Sequence, residues 1–311
     1  MNIPALNLRH LSKRFNDFAA VKDISFQIEE GEIFGLLGPN GAGKSTTINM
    51  VAGVTRISSG NVEVFGHDNR REYRLTRRLI GVMHQEIVID NFFTIDQALT
   101  FHSGYYGVPD DPAWRAMLIE RLGLGPHLHK VMLKLSGGLK RRFMIAKALI
   151  HKPPLLILDE PTAGVDVELR HTLWEFVREI NASGTTILLT THYLEEAEQM
   201  CGRLAIMNHG DLIALEPTAS LLKRLGSRQV IVQLAKPLTV VPDELSSFRA
   251  QLTGGGYCLE IPLNGGEGAG EILALLCRCG ITVADIETRR AGLEEVFLKL
   301  TGIDRGGEGT A

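Results

Sequence analysis

The segment Gly38-Pro39-Asn40-Gly41-Ala42-Gly43-Lys44-Ser45-Thr46 constrains this chain more than any other stretch of it. It fits the pattern G-x-x-x-x-G-K-[ST]. An apolar run, Ile33 to Leu37, precedes it, and Ile48, Val51 and Ala52 recur after it at helical spacing. Glycines lacking Cβ let backbone N–H groups turn inward, and the start of the following helix adds partial positive charge. Strand, loop and helix in that order therefore make a cradle for phosphate. All of Gly38 to Thr46 are expected to line it, with Lys44 bridging the β and γ phosphates of a nucleotide. The Ser45 hydroxyl is an oxygen ligand suited to magnesium, a hard cation that keeps most of its waters.

Three apolar segments read as strands that end in polar residues. Leu79 to Met83 runs into His84-Gln85, Leu155 to Leu158 into Asp159-Glu160, and Thr186 to Leu189 into Thr190-Thr191-His192. Ligands of open parallel sheets bind outside the carboxyl ends of the strands, so these side chains are expected to converge on the phosphate loop. Asp159 suits a magnesium partner acting through a bound water. Glu160 is the candidate to orient, or take a proton from, an attacking water. His192 is placed to hold the γ phosphate, and Gln85 to contact both magnesium and the water.

The rest of the chain supplies a frame for that site. Ile24, Phe26 and Ile28 alternate with polar residues as in a half-buried antiparallel strand. From about Thr94 to Ile150 the pattern is helical, with Leu139, Phe143, Ala146 and Ile150 on one apolar seam, an inserted helical subdomain. A helix through Leu169, Leu173, Phe176 and Ile180 joins two buried strands, a parallel crossover. Past Gly226 short alternating segments between glycine-rich stretches predict a small α+β accessory domain, residues 227–311, after a first domain of residues 1–226. The fold class expected is thus α/β, with a mixed, largely parallel sheet core.

Composition removes several alternatives. A net charge of −3 and a pI near 6.4 offer no basic field, so no nucleic-acid partner is expected. The longest aliphatic run, Leu155 to Leu158, falls far short of the ~18 residues of a membrane span, and Met-Asn-Ile-Pro does not open a signal peptide. A cytoplasmic chain is expected. Cys258, Cys277 and Cys279 lack zinc-type spacing and read as ordinary thiols. Arginines 70, 71, 74, 77 and 78, and Lys140-Arg141-Arg142, read as solvated helix faces.

The phosphate loop, Gln85, the stretch LSGG at Leu135 to Gly138, LLILDEPT at 155–162, Gly164-Val165-Asp166 and His192 together resemble the ATP-binding subunits of ABC transporters. The resemblance covers about residues 4–222, and the LSGG element separates this family from other phosphate-loop proteins. It implies ATP and magnesium as ligands and head-to-tail pairing with a second copy or a related ATP subunit. ATP held by one loop is then closed over by Ser136, Gly137 and Gly138 of the other. Asp166 lies at the subunit boundary, and Phe15 stacks on adenine. It also implies a separately encoded integral membrane permease, through which the subunit sits peripherally on the inner face of the cell membrane. That permease's short helix is gripped near Glu86 to Tyr106, where Phe92, Phe93, Tyr105 and Tyr106 are candidate contacts. Two departures stand out: Leu139 where the family commonly has Gln, and Phe15 where Tyr is common.

Within the family, GYYGV at 104–108, LKRR at 139–142, TAGVDVELR at 162–170, THYLEEAE at 191–198 and GLEEVFLKLTG at 292–302 are most similar to the bacterial type-2 exporter branch, including YadG-like and daunorubicin-exporter-like subunits. ATP hydrolysis driving export is the implied function. The alternative is a soluble ABC ATPase acting on the ribosome or nucleic acid. Such proteins carry two ATP domains or a long coiled coil, and this sequence shows neither. A regulatory module without turnover is disfavoured by the presence of Glu160 and His192.

Overall fold

A computed structural model describes residues 3–86, 91–165, 167–226, 228–263, 269–290 and 292–302. The chain divides into two units, one ending at Thr218 and the other starting at Ala219. Composition placed that boundary at 226; the division comes earlier because the Thr218–Leu225 helix belongs almost wholly to the second unit.

The first unit is built on a six-stranded sheet. Its order is Asp211–Pro217, Arg203–Asn208, Ile33–Leu37, Thr186–Thr190, Leu155–Asp159 and Ile80–Met83. Only the first pair is antiparallel. Leu155–Asp159 and Thr186–Thr190 are buried along their whole length, as expected for parallel strands covered on both faces. Because the strands bearing the polar ends are neighbours of Ile33–Leu37 or of one another, their carboxyl ends and the phosphate loop share one edge.

A second, antiparallel sheet is ordered Phe18–Ile28, Leu6–Phe15, Ser59–Val64 and His67–Asp68. Ile24, Phe26 and Ile28 are buried while Ser25 and Gln27 are exposed, so the alternating pattern does place one face inside. The two sheets share a core in which the Phe26 ring stacks on Phe34 at 5.3 Å. A Leu, Ile or Phe buried this way contributes about 1.5–3 kcal/mol, and many such residues fix the phosphate-binding edge.

The helical insertion contains Ile95–Tyr105, Pro112–Arg121 and Gly137–Leu149. It starts at a capping box: Thr94 Oγ1 accepts from the Gln97 N–H, and the Gln97 amide oxygen accepts from the Thr94 N–H. The Gly137–Leu149 helix buries Phe143, Met144, Ile145, Ala146, Ala148 and Leu149.

The second unit holds a four-stranded antiparallel sheet, ordered Gln251–Thr253, Cys258–Leu263, Arg228–Leu234 and Val283–Arg290. Ala269–Arg278 and Leu293–Thr301 are its later helices. Val230, Val232, Leu259, Ile261, Ile272 and Leu276 form its own core.

Candidate functional site

The phosphate loop leaves Ile33–Leu37 and enters the helix Lys44–Val51 through Gly43, whose φ is 102°. A Cβ there would stand 2.5 Å from the Ala20 carbonyl oxygen, and one on Gly38 2.4 Å from that of Met207. Both positions therefore require glycine for close backbone approach. Lys44 is buried, and its Nζ donates to the carbonyls of Gly38 (2.6 Å) and Pro39 (3.1 Å). Burial holds its pKa below the ordinary lysine value, while Glu160 and Asp159 pull it up. Asn40 to Thr46 line a cavity of about 410 Å3 with Phe18, Ala20, Gln85 and Glu160.

The strand ends meet at this cavity. Asp159, 3% exposed, accepts a hydrogen bond from Thr190 Oγ1. Glu160 is 7% exposed and has φ 49°, a left-handed conformation that costs a residue with a side chain about 1 kcal/mol or more. Its N–H donates to the carbonyl and to the hydroxyl of Thr190, both at 3.1 Å. Its Oε2 accepts from Gln85 Nε2 at 3.1 Å and lies 3.2 Å from His192 Nδ1. The turn thus aims one carboxylate at the mouth of the phosphate cavity, with an amide and an imidazole on the same oxygen.

Two residues support this arrangement from behind. Arg141, 5% exposed, donates to the carbonyls of Gln85 (2.6 Å), Pro161 (3.2 Å) and Glu160. Its reading as part of a solvated face was wrong, because tertiary carbonyls rather than water satisfy the guanidinium. Glu196, also buried, accepts from the hydroxyls of Thr162 and Thr191, both at 2.9 Å, and so ties the segment after Glu160 to the one before His192. Thr190 meets the site as its strand end predicted, whereas Phe18 and Ala20 were missed. No short motif marks them, since each reaches the site from a distant strand.

Other expected residues lie elsewhere. Ser136 caps the Gly137–Leu149 helix by accepting from the Leu139 N–H at 3.4 Å; it and Gly137 are exposed and do not line the phosphate cavity. Phe15, 48% exposed, pairs with Phe18 across the hairpin and lies under Lys13 Nζ at 4.6 Å. Of these two rings, Phe18 is the one that lines the cavity. Asp166 lies outside the described residues.

A larger cavity, about 750 Å3, is lined by Tyr105 and Tyr106 together with Arg74, Arg77, Arg78, His102 and Lys147. Three of the arginines read as a solvated face therefore border a concave surface. Tyr106 stacks on His151 at 3.7 Å, and Phe93 packs edge-on against Phe101 at 4.9 Å, whereas Phe92 and Tyr105 are largely exposed. Burial drives the pKa of His102 down to about 3 and that of His151 to about 4.

The sequence matches the family described as ABC transporter over residues 21–163, and one described as AAA domain, putative AbiEii toxin, Type IV TA system, over residues 131–196. It is 36% identical over 305 residues to the Nod factor export ATP-binding protein I of Burkholderia lata, covering 97% of this chain and 98% of that protein. The chain belongs to the ATP-binding subunits of the ABC transporter family. This ABC protein binds ATP and is an ATPase. It is also 35% identical over 307 residues to the linearmycin resistance ATP-binding protein LnrL of Bacillus subtilis, covering 96% and 98% of the two chains. A solved structure of an ATP binding subunit of an ABC transporter superposes with a TM-score of 0.66 at 29% identity, covering 71% of this chain and 92% of that one. The two relatives align along nearly the whole chain, so the ABC subunit shares its second unit with them. Among the described residues, no helix is long and apolar enough to cross a membrane.

Proposed function

We propose that this ABC ATPase powers export by a separately encoded membrane permease, closing head to tail with a second copy or a related subunit around two ATP molecules. The observation that carries this reading is the Glu160 carboxylate at the mouth of the phosphate cavity, with Gln85 and His192 on the same oxygen. Lys44 and the loop N–H groups hold the β and γ phosphates, and His192 contacts the γ phosphate. Glu160 orients the attacking water and takes its proton. Ser45, Asp159 and Gln85 offer the oxygen donors that suit magnesium; the buried Asp159, fixed by Thr190, fits that ion. When bound, magnesium neutralises charge developing on the phosphates.

Ser136, Gly137 and Gly138 do not line their own chain's cavity, as is required if they close over ATP on the other subunit. Asp166 belongs at that boundary, and Phe15, with Phe18 beside it, flanks the adenine. The cavity bordered by Tyr105, Tyr106 and the arginines receives a permease helix, which places the subunit on the inner face of the cell membrane. Export is supported by the relatives' names, Nod factor export and linearmycin resistance. The second unit, residues 219–302 as described, supports the dimer or regulates it.

The test is to purify the Glu160→Gln protein with ATP from gently solubilised membranes of its own host. A stoichiometric polytopic membrane protein is expected. Recovery with ribosomes or nucleic acid, or only as a soluble dimer, would favour a soluble ABC ATPase instead.

A further inference from the structure

Arg141 joins three segments of the first unit through one side chain. It projects from the Gly137–Leu149 helix, less than two turns past the Ser136 cap. Its Nη1 donates to the Gln85 carbonyl at 2.6 Å, its Nε to that of Pro161 at 3.2 Å, and its Nη2 to that of Glu160. The planar, forked guanidinium can serve three carbonyls at once; an ammonium on a flexible stem cannot hold the same three directions. At 5% exposure this is a buried cation whose hydrogen bonds go to neutral carbonyls; burial lowers its pKa, while the charges of Glu160 and Asp159 pull it up. Keeping a charge there is costly, and well-packed apolar residues often serve stability as well or better.

What the three carbonyls have in common is the site. One belongs to Gln85, one to Glu160, and one to the residue that follows Glu160. Glu160 is the left-handed residue, at φ 49°, so its peptide is the strained one, and Arg141 grips the carbonyl side while Thr190 grips the N–H side. A shift of the helix start therefore moves the backbone of Gln85 and Glu160 together.

We infer that Arg141 is a positioning residue that links the Ser136–Gly138 end of its helix to Gln85 and Glu160 of the same chain, so that ATP on one subunit, once engaged by that end, sets the catalytic carboxylate of the other. This rests on the head-to-tail dimer proposed above. It makes the two ATP sites cooperative through one guanidinium.

The experiment compares the full-length wild-type, Arg141→Met and Arg141→Lys proteins in ATP binding, thermal melting and ATP-dependent turnover. Arg141→Met is expected to bind ATP within about twofold of wild type, since Arg141 does not line the phosphate cavity. Its kcat is expected to fall by about 10²-fold through misplacement of Glu160. Its Hill coefficient for ATP should drop from above 1 to about 1. Arg141→Lys, which keeps the charge and reaches some of the carbonyls, should recover part of both. A fall in kcat with the Hill coefficient unchanged would show local support alone and overturn the link, as would wild-type kinetics in either variant. If Arg141→Met fails to fold, a melting-competent Arg141→Lys with a wild-type Hill coefficient overturns it equally. A wild-type Hill coefficient of 1 with no ATP-dependent dimer of Glu160→Gln would instead remove the dimer reading and this inference with it.

Discussion

The phosphate loop and the Gly137–Leu149 helix both present a helix N-terminus where phosphate can bind, yet they are finished to different degrees. Around Lys44 the chain supplies a cavity, a buried ammonium, two acidic side chains and glycines required by close backbone contacts. Around Ser136 it supplies a cap and exposed surface. A Cβ on Gly137 would meet nothing within 4 Å, whereas one on Gly43 would strike a carbonyl. One end is shaped by its own chain; the other is exposed and lines no cavity of its own chain. That asymmetry is what a shared site between two subunits requires.

The largest expected effect breaks the finished end. Lys44→Ala removes the ammonium from the cavity and should weaken ATP binding by about 10²-fold, with turnover lost, as measured by equilibrium nucleotide binding and phosphate release. Normal ATP affinity in that variant would refute the role given to the loop. Next, Gly137→Glu probes the open end. The substitution meets no neighbour, and an acidic residue in the first turn favours the helix by a few tenths of a kcal/mol, so melting should not fall. Binding of ATP to the chain should persist while turnover drops by about 10-fold or more, because the new carboxylate faces phosphate across the dimer. Full turnover in Gly137→Glu would mean that this end never meets ATP.

A third prediction concerns how the two ends are anchored. His151, just past the open-ended helix, has Nε2 at 3.1 Å from the Ile80 carbonyl, and its folded pKa, about 4, lies below the usual 6.5. A depressed histidine pKa means that the unfolded chain binds the extra proton first. Stability is then full above pH 6.5 and is lost as pH falls toward 4, by on the order of 3 kcal/mol from this group. Hydrogen exchange at pH 4.5 should rise more in Gly137–Leu149 than in Lys44–Val51. His151→Phe, which keeps a ring against Tyr106, should flatten that pH slope. The smallest effect separates two rings. Phe18→Ala should weaken ATP binding by about 1 kcal/mol, roughly fivefold, and Phe15→Ala by less if only the ring lining the cavity meets the nucleotide. The reverse order would restore Phe15 as the adenine contact.

How legible all this was depended on distance along the chain. Loop, following helix and apolar strands are local patterns, and Asp159, Glu160, Gln85 and His192 were readable because they follow buried runs directly. Arg141 was not. Its partners lie 56, 19 and 20 residues away, so nothing beside it in sequence separates it from Lys140 or Arg142. The same holds for Arg74, Arg77 and Arg78, which border a cavity only because Tyr105 and Tyr106 come from another helix or its end. Strand Arg203–Asn208 pairs directly with the phosphate-loop strand, and the His209-Gly210 turn, at positive φ in both residues, was the local signal that could have found it. Phe18 enters the site through hairpin register, which pairs it with Phe15.

The left-handed backbone of Glu160 has a consequence for how such a protein can be improved. Glycine adopts φ 49° without a steric clash, at the cost of a more flexible unfolded chain, so Glu160→Gly should relieve strain at that turn while deleting the carboxylate. A laboratory selection that rewards heat resistance alone, with no demand for turnover, has a ready route through this codon to a sturdier and inert subunit. Any engineering of the chain for robustness therefore needs an activity screen beside the thermal one, and position 160 is where the two will disagree.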